Sequence, residues 1–284
     1  MTDPLVQADT AQLFRSVRAA RSWLRTSAAG NAAPSATGCV LMKTGKREPP
    51  VFMIPGATGS VLQLAPIAAA MQIAAPVYAI RPRGMAEEEL ALEHLDEMAG
   101  HAIGLMRAAW PQGPYLLVGY SAGGLVALEM AQQLIAAGRQ VPLVVLLDTY
   151  PSRAVWPLAC HLDILARQAL NAVWSLRKCT LRQVAGEVSR RMRSLFQYLT
   201  ASGLKLVAPP PLVAEGIDAA SRRVHIATYN AGEAYRPRSY GGKVVFMQPA
   251  ETPGLEPRKP RQVWGQFLDD LEIRRVPGSH LRMV

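Results

Sequence analysis

Apolar residues fall in short runs that alternate with longer stretches of helical periodicity from about residue 39 onwards. Short continuous apolar runs are typical of buried parallel strands, and apolar positions that recur every three or four residues are typical of helices. The alternation therefore predicts an α/β protein with a mostly parallel sheet flanked by helices. The predicted strands are 39–42, 51–54, 77–80, 115–118, 143–147, 243–247 and 271–276. The predicted helices lie near 61–72, 93–110, 122–137, 216–232 and 260–269.

This alternation is interrupted by an insertion at about 151–207, which contains two helical stretches, 155–176 and 180–200. Basic residues far outnumber acidic ones there. An insertion at the C-terminal edge of a parallel sheet covers the crevice where ligands bind, so we interpret this one as a helical lid. An ordinary helical insertion with solubilising charges is the alternative.

The residues before the sheet predict a separate unit. Residues 9–25 place apolar residues on one helical face and arginines on the other, which indicates a basic amphipathic helix. A helix that caps the domain and a docking element or stub of an upstream domain are both open interpretations. Since 27–38 is rich in Ala, Ser and Gly, we expect a linker there, and domains at 1–38 and 39–284.

Composition narrows the partners and the cellular location expected for this protein. Half of the 284 residues are hydrophobic and the formal net charge is +10, which leaves nucleic acid, a membrane surface or an acidic protein as partners. Zinc-ligand spacing and RNA-binding signatures are missing, so nucleic acid is not expected. Prolines interrupt the uncharged stretch 61–80, which argues against a membrane span. The three cysteines lack metal-ligand spacing, and the start of the chain lacks a signal peptide, so we expect a cytoplasmic protein without a metal.

The sequence from Gly119 to Gly124 has the pattern of a nucleophile elbow around Ser121. An apolar strand precedes it and a helical pattern follows it. Small neighbours allow the sharp turn from strand to helix, which exposes the serine hydroxyl and points the Ala122 N–H at the same place. We therefore interpret Ser121 as a nucleophile, with a plain strand-to-helix turn as the alternative.

A serine nucleophile needs a base and an orienting acid. Of the five histidines, His280 follows the last predicted strand through a Pro-Gly-Ser loop, so it can reach over the sheet edge toward Ser121. Asp148 ends the strand after the elbow, a place where a lone carboxylate needs a partner. An Asp that merely starts a turn is the alternative for Asp148, and Glu251 is the second candidate for the acid.

The tetrahedral intermediate of acyl transfer also needs hydrogen-bond donors. The Ala122 N–H is one candidate. The other is the Ala57 N–H, in a loop whose glycines allow close approach of the backbone. This loop lacks the lysine and spacing of a phosphate-binding loop, so a nucleotide cofactor is not expected.

With these residues in place, the chain resembles the thioesterase domains that end nonribosomal peptide and polyketide synthetases. The resemblance covers about residue 50 to the C-terminus, except the lid. It rests on the segments 51–60, 77–80 with Arg83 and Gly84, 119–124, 146–148 and 278–283. It implies an α/β-hydrolase fold of the chain-terminating type, a triad of Ser121, Asp148 and His280, and an oxyanion hole at Ala57 and Ala122.

The resemblance also implies a substrate and a partner. Such domains take an acyl or peptidyl chain from the phosphopantetheine of a carrier protein onto the serine, and release it by hydrolysis or cyclisation. Carrier proteins are typically acidic, so the resemblance implies that the basic lid is the region where the carrier protein docks. A free-standing editing thioesterase and a general carboxylesterase or lipase are the alternatives, and a non-enzymatic binding module is a third.

Overall fold

A seven-stranded sheet forms the centre of the molecule. The computed structural model describes residues 38–45, 49–86, 88–176, 217–251 and 256–280, together with Met283. The strands are β1 (Cys39–Lys43), β2 (Val51–Ile54), β3 (Val77–Ile80), β4 (Leu116–Tyr120), β5 (Leu143–Leu147), β6 (Tyr240–Glu251) and β7 (Leu268–Ser279). Their order is β1-β3-β2-β4-β5-β6-β7, and β1 alone is antiparallel to its neighbour.

Helices lie between these strands. They are α1 (Ala65–Ala70), α2 (Leu95–Ala109), α3 (Ala122–Ala136), α4 (Leu158–Leu176), α5 (Ala219–Ala234) and α6 (Pro260–Trp264). Short 3-10 turns at Val61–Leu64 and Arg153–Val155 precede α1 and α4. This is the α/β-hydrolase architecture predicted from the sequence, and all seven predicted strands are confirmed.

The core explains why the central strands have continuous apolar sequences. Phe52 and Leu117 pack into one cluster with α2 and α3, while Met53 and Val118 pack into another with α1. Because both faces of β2 and β4 are covered, nearly every side chain of these strands is apolar. The buried sheet is a rigid base on which the loops at its C-terminal edge are held.

The last part of the sheet differs from the prediction. β6 and β7 extend beyond 243–247 and 271–276, and they pair from Tyr240 with Leu268 to Glu251 with Ser279. The predicted helix 260–269 was too long, since it ends at Trp264 and β7 begins at Leu268. Polar residues in the added parts conceal the strands from an apolar pattern, but cross-strand hydrogen bonds stabilise them. His280 therefore follows the strand directly, and the predicted Pro-Gly-Ser loop is part of β7.

The predicted insertion is described in part. Its first helical stretch is confirmed as α4, which follows β5 and the 3-10 turn. The second stretch at 180–200, the amphipathic helix at 9–25 and most of the linker at 27–38 lie outside the described residues. Among the described helices, none is long and apolar enough to cross a membrane.

Candidate active site

Ser121 lies at the junction of β4 and α3, in a backbone conformation that is rare for a residue with a side chain. Its φ is 53° and its ψ is −126°. Such a conformation is strained and persists only where the surroundings hold it. Here the Ser121 N–H donates to Leu147 O at 2.9 Å, and the Thr149 hydroxyl donates to Ser121 O at 2.9 Å. The end of β5 thus fixes the turn that presents the serine.

Close packing explains the glycines around this serine. A Cβ on Gly119 would overlap the backbone of Gly124, and a Cβ on Gly123 would overlap the carbonyl oxygen of Pro55. The start of α3 therefore lies directly against the loop after β2. This contact brings the loop after β2, which contains Ala57, next to the elbow.

Asp148 and His280 meet beside this turn. Asp148 directly follows β5 with φ at 45°, its side chain is 5% exposed, and its N–H donates to Met247 O at 3.0 Å. The ring Nδ1 of His280 lies 2.7 Å from Asp148 Oδ2. If Nδ1 donates to the carboxylate, Nε2 is left as the acceptor that a general base needs.

The second acid candidate has a different environment. Glu251 lies at the end of β6, opposite Ser279, and its side chain is exposed. The bond to Asp148 therefore favours Asp148 as the partner of His280. Ser121 and His280 are not hydrogen-bonded to each other in the described structure, a situation common in sites without substrate.

Tyr120 holds His280 from the other side, a contact that the sequence analysis did not predict. The two rings stack with centroids 5.0 Å apart, and the Tyr120 hydroxyl donates to His280 O at 2.9 Å. Burial, followed by the negative charge of Asp148, raises the pKa of Tyr120 to about 12. The phenol stays protonated near neutral pH, so it keeps this donor. The only signal in the sequence was a tyrosine directly before the serine.

The two candidate oxyanion donors lie on neighbouring elements. Ala122 is the first residue of α3, where backbone N–H groups have no helical acceptor and the helix dipole is positive. Ala57 lies in the loop after β2, in a turn closed by the bond from Gly59 N–H to Gly56 O at 2.9 Å. The positions fit the predicted pair, whose role stays a prediction.

A cavity of about 40 Å³ adjoins this loop. Pro55 and Gly56 form one wall, and Met98 of α2 and Val224 of α5 contribute apolar side chains. His101 also lines it, and burial, followed by the positive charge of Arg83, lowers the pKa of this histidine. The imidazole is therefore neutral near pH 7, and the cavity suits an apolar group.

The chain is similar to proteins of known class. It is 28% identical over 207 residues to a dimodular nonribosomal peptide synthase of Bacillus subtilis (strain 168), across 73% of this chain and 8% of the synthase. The chain thus spans less than a tenth of the length of that relative.

Two solved structures have a similar fold. The NocB thioesterase domain from the nocardicin cluster has a TM-score of 0.53 at 22% identity, over 82% of this chain and 85% of that one. The type II thioesterase BorB from the borrelidin cluster has a TM-score of 0.57 at 20% identity, over 88% of this chain and 92% of that one. At these identities the two structures support the fold. A profile of the thioesterase domain family matches residues 49–284, and the chain therefore belongs to that family.

Proposed function

We propose that this chain releases an acyl or peptidyl chain from the phosphopantetheine thioester of a carrier protein, through an ester to Ser121. The observation that carries the proposal is the 2.7 Å contact between His280 Nδ1 and Asp148 Oδ2, beside a serine in a strained turn. This arrangement is the activating part of a serine hydrolase site. Family membership supplies the class of bond, a thioester.

In the first half-reaction, His280 Nε2 takes the proton of the Ser121 hydroxyl as its oxygen attacks the thioester carbonyl. The oxyanion that forms accepts hydrogen bonds from the Ala57 and Ala122 N–H groups. Each of these bonds lowers the activation barrier by about 3 kcal/mol. When the intermediate collapses, the carbon–sulfur bond breaks and His280 returns the proton to the leaving thiolate. The acyl chain is then esterified to Ser121.

In the second half-reaction, His280 activates the group that attacks the ester. Water releases the chain as an acid, and an amine or hydroxyl of the chain itself releases it as a ring. Asp148 stabilises the imidazolium that forms in both halves. These steps use side chains and backbone N–H groups of the protein and the phosphopantetheine arm of the substrate.

One alternative within the family has the same fold. BorB is a type II thioesterase, and its fold overlaps nearly the whole of both chains. A free-standing editing enzyme would use the same residues on misloaded carrier proteins. A general esterase or lipase would also use them, but it would gain nothing from a carrier protein.

The proposal is tested by intact-mass spectrometry of the chain incubated with acyl-carrier protein and, separately, with the same acyl group on a small pantetheine thiol. We expect an acyl adduct on Ser121, formed faster from the carrier protein. Ser121→Ala should abolish the adduct and lower turnover by about a million-fold. A fluorophosphonate probe that leaves the wild-type Ser121 unlabelled would refute an enzymatic role. Equal rates from both thioesters would refute the carrier-protein substrate.

The assignment of the acid has its own test. Asp148→Asn should lower kcat by about ten thousand-fold, because the amide favours the wrong histidine tautomer. Glu251→Gln is the matched control, and we expect it to change kcat less than twofold. If Glu251→Gln proves the more damaging change, the acid role belongs to Glu251.

A further inference from the structure

The carbonyl oxygen of Ser121 accepts two hydrogen bonds, which come from two different parts of the fold. The Gly124 N–H, in the first turn of α3, donates to it at 3.0 Å. The Thr149 hydroxyl, in the segment after β5, donates to it at 2.9 Å. A carbonyl oxygen has two lone pairs, so both are used. The position of this oxygen is therefore set by the helix and by the chain that follows the neighbouring strand.

This oxygen shares a rigid unit with the Ala122 N–H. The peptide bond between Ser121 and Ala122 is trans, so the unit is planar and its C=O and N–H point in opposite directions. A rotation of the unit that moved Ser121 O would swing the Ala122 N–H through the same angle. Since the Ala122 N–H is a proposed donor to the oxyanion, the bonds to Ser121 O set the direction of that donor.

Thr149 can hold this oxygen because Thr149 is itself fixed. The residue is 1% exposed, and its own carbonyl oxygen accepts a hydrogen bond from Trp264 Nε1 at 2.9 Å. Trp264 is fully buried in α6. Leu147 O is a second acceptor for the Thr149 hydroxyl at 3.4 Å, so the shorter contact to Ser121 O is the stronger one. The branched side chain also has few rotamers, so the hydroxyl is a well-directed donor.

Gly124, the second of the two glycines after the serine, lies directly against this hydroxyl. A Cβ on Gly124 would overlap Oγ1, Cγ2 and Cβ of Thr149. Gly119 and Gly123 differ from it, since a Cβ on either would overlap backbone atoms. The glycine at 124 thus leaves the space that the Thr149 side chain fills, which gives the double glycine of the elbow a second purpose.

We propose that Thr149 is a positioning residue that directs the Ala122 N–H toward the oxyanion, and that Gly124 makes room for its hydroxyl. The buried hydroxyl acts through the peptide unit of Ser121 and Ala122. A donor that is held in place beforehand needs no reorganisation while charge develops on the substrate oxygen. The inference rests on the proposed function, because it concerns the oxyanion that forms when Ser121 attacks.

Three substitutions separate the hydroxyl of Thr149 from its packing. Thr149→Ser keeps the hydroxyl and lacks the methyl group, Thr149→Val keeps the volume and lacks the hydroxyl, and Thr149→Ala lacks both. Thr149→Ser should react within about twofold of wild type and the other two about tenfold more slowly, less than the hundredfold or more that loss of an oxyanion donor costs, because the N–H remains. If packing decided the rate, Thr149→Val would instead be the mildest change.

The experiment measures labelling of Ser121 by a fluorophosphonate in the full chain at pH 8, over a range of probe concentrations. The maximal rate should fall in Thr149→Val and Thr149→Ala, while the half-saturating concentration stays unchanged. This split is expected because the Ala122 N–H gains its partner only as the oxyanion forms.

Tyr115→Phe is the matched control for the loss of a buried hydroxyl. Tyr115 is fully buried just before β4, at the opposite end of that strand from Ser121. Its hydroxyl lies 3.1 Å from the carbonyl oxygens of both Trp110 and Pro111. We expect this change to lower the melting temperature and to leave both labelling constants near those of wild type.

A trifluoromethyl ketone provides a second measurement. Ser121 Oγ adds to its carbonyl carbon, the hydroxyl proton passes to His280, and the carbonyl oxygen becomes an oxyanion that resembles the one in acyl transfer. The inhibition constant should rise about tenfold in Thr149→Val and in Thr149→Ala, in step with the labelling rate, since both depend on the same donor. Thr149→Ser should bind the ketone as wild type does.

The outcomes separate the two proposals. If wild-type Ser121 does not label at all, the proposed function fails. If wild type labels and Thr149→Val labels equally fast, or if Thr149→Ser is slowed as much as Thr149→Val, the role of the Thr149 hydroxyl fails. An equal loss of rate in Tyr115→Phe would also overturn it, because the effect would then follow stability. If Thr149→Ala does not fold, the valine and serine variants still decide the question.

Discussion

Tyr120 directly precedes the proposed nucleophile, and it contacts the proposed base His280. Its hydroxyl bonds to His280 O at 2.9 Å and its ring stacks on the imidazole. Tyr120→Phe keeps the ring and removes the bond, which should lower the labelling rate of Ser121 about fivefold, since one hydrogen bond is worth about 1 kcal/mol. The rate is measured with a fluorophosphonate probe at pH 8.

Tyr78→Phe is the control for this change. Tyr78 stacks on Phe52 with centroids 5.6 Å apart, and among the described residues its hydroxyl has no hydrogen-bond partner. Its loss should leave the rate unchanged. If the two variants label alike, the hydroxyl of Tyr120 does not position His280.

The residues of the site differ in how far sequence could predict them. Ser121, Asp148 and His280 each follow a predicted strand, and parallel strands bring their C-terminal ends to one edge of the sheet. Tyr120 depends on its contacts with His280, which lies far from it in the sequence.

At the scale of elements, the close packing of α3 against the loop after β2 should make stability sensitive to any added side-chain atom. A Cβ on Gly123 would overlap the backbone of Ile54 and Pro55, so one of the two segments would have to move. We expect Gly123→Ala to lower the free energy of unfolding by about 2 to 3 kcal/mol. Urea denaturation followed by circular dichroism measures this.

Gly104 of α2 is the matched control, because a Cβ there would meet nothing within 4 Å. Gly104→Ala should raise the free energy of unfolding by about 0.5 to 1 kcal/mol, since alanine favours the helix. Equal effects of the two changes would contradict a special constraint at Gly123.

The accuracy of the predicted elements follows from their burial. β2 and β5 were predicted with their observed bounds, because strands covered on both faces are continuous apolar runs. β6 and β7 extend over positions that include Gly, Pro and polar residues, where pairing with the neighbouring strand decides the structure. A pattern of apolar residues carries no information about that pairing, so the continuation of β7 through Ser279 was missed.

At the scale of the whole molecule, the net charge of +10 is relevant to the partner. A positive protein attracts a negative one before contact, which raises the association rate, and salt screens the attraction. An acidic carrier protein would therefore be captured faster at low ionic strength. A small uncharged thioester would not be affected.

We accordingly expect the rate of Ser121 acylation from an acidic acyl-carrier protein to fall about tenfold between low salt and about 0.5 M salt, under conditions where association limits the rate. The same acyl group on an uncharged pantetheine thiol should change by less than twofold, which controls for effects of salt on the chemistry. Stopped samples analysed by intact mass give both rates. If the two substrates respond equally to salt, the net charge does not guide the carrier protein, and another partner must account for it.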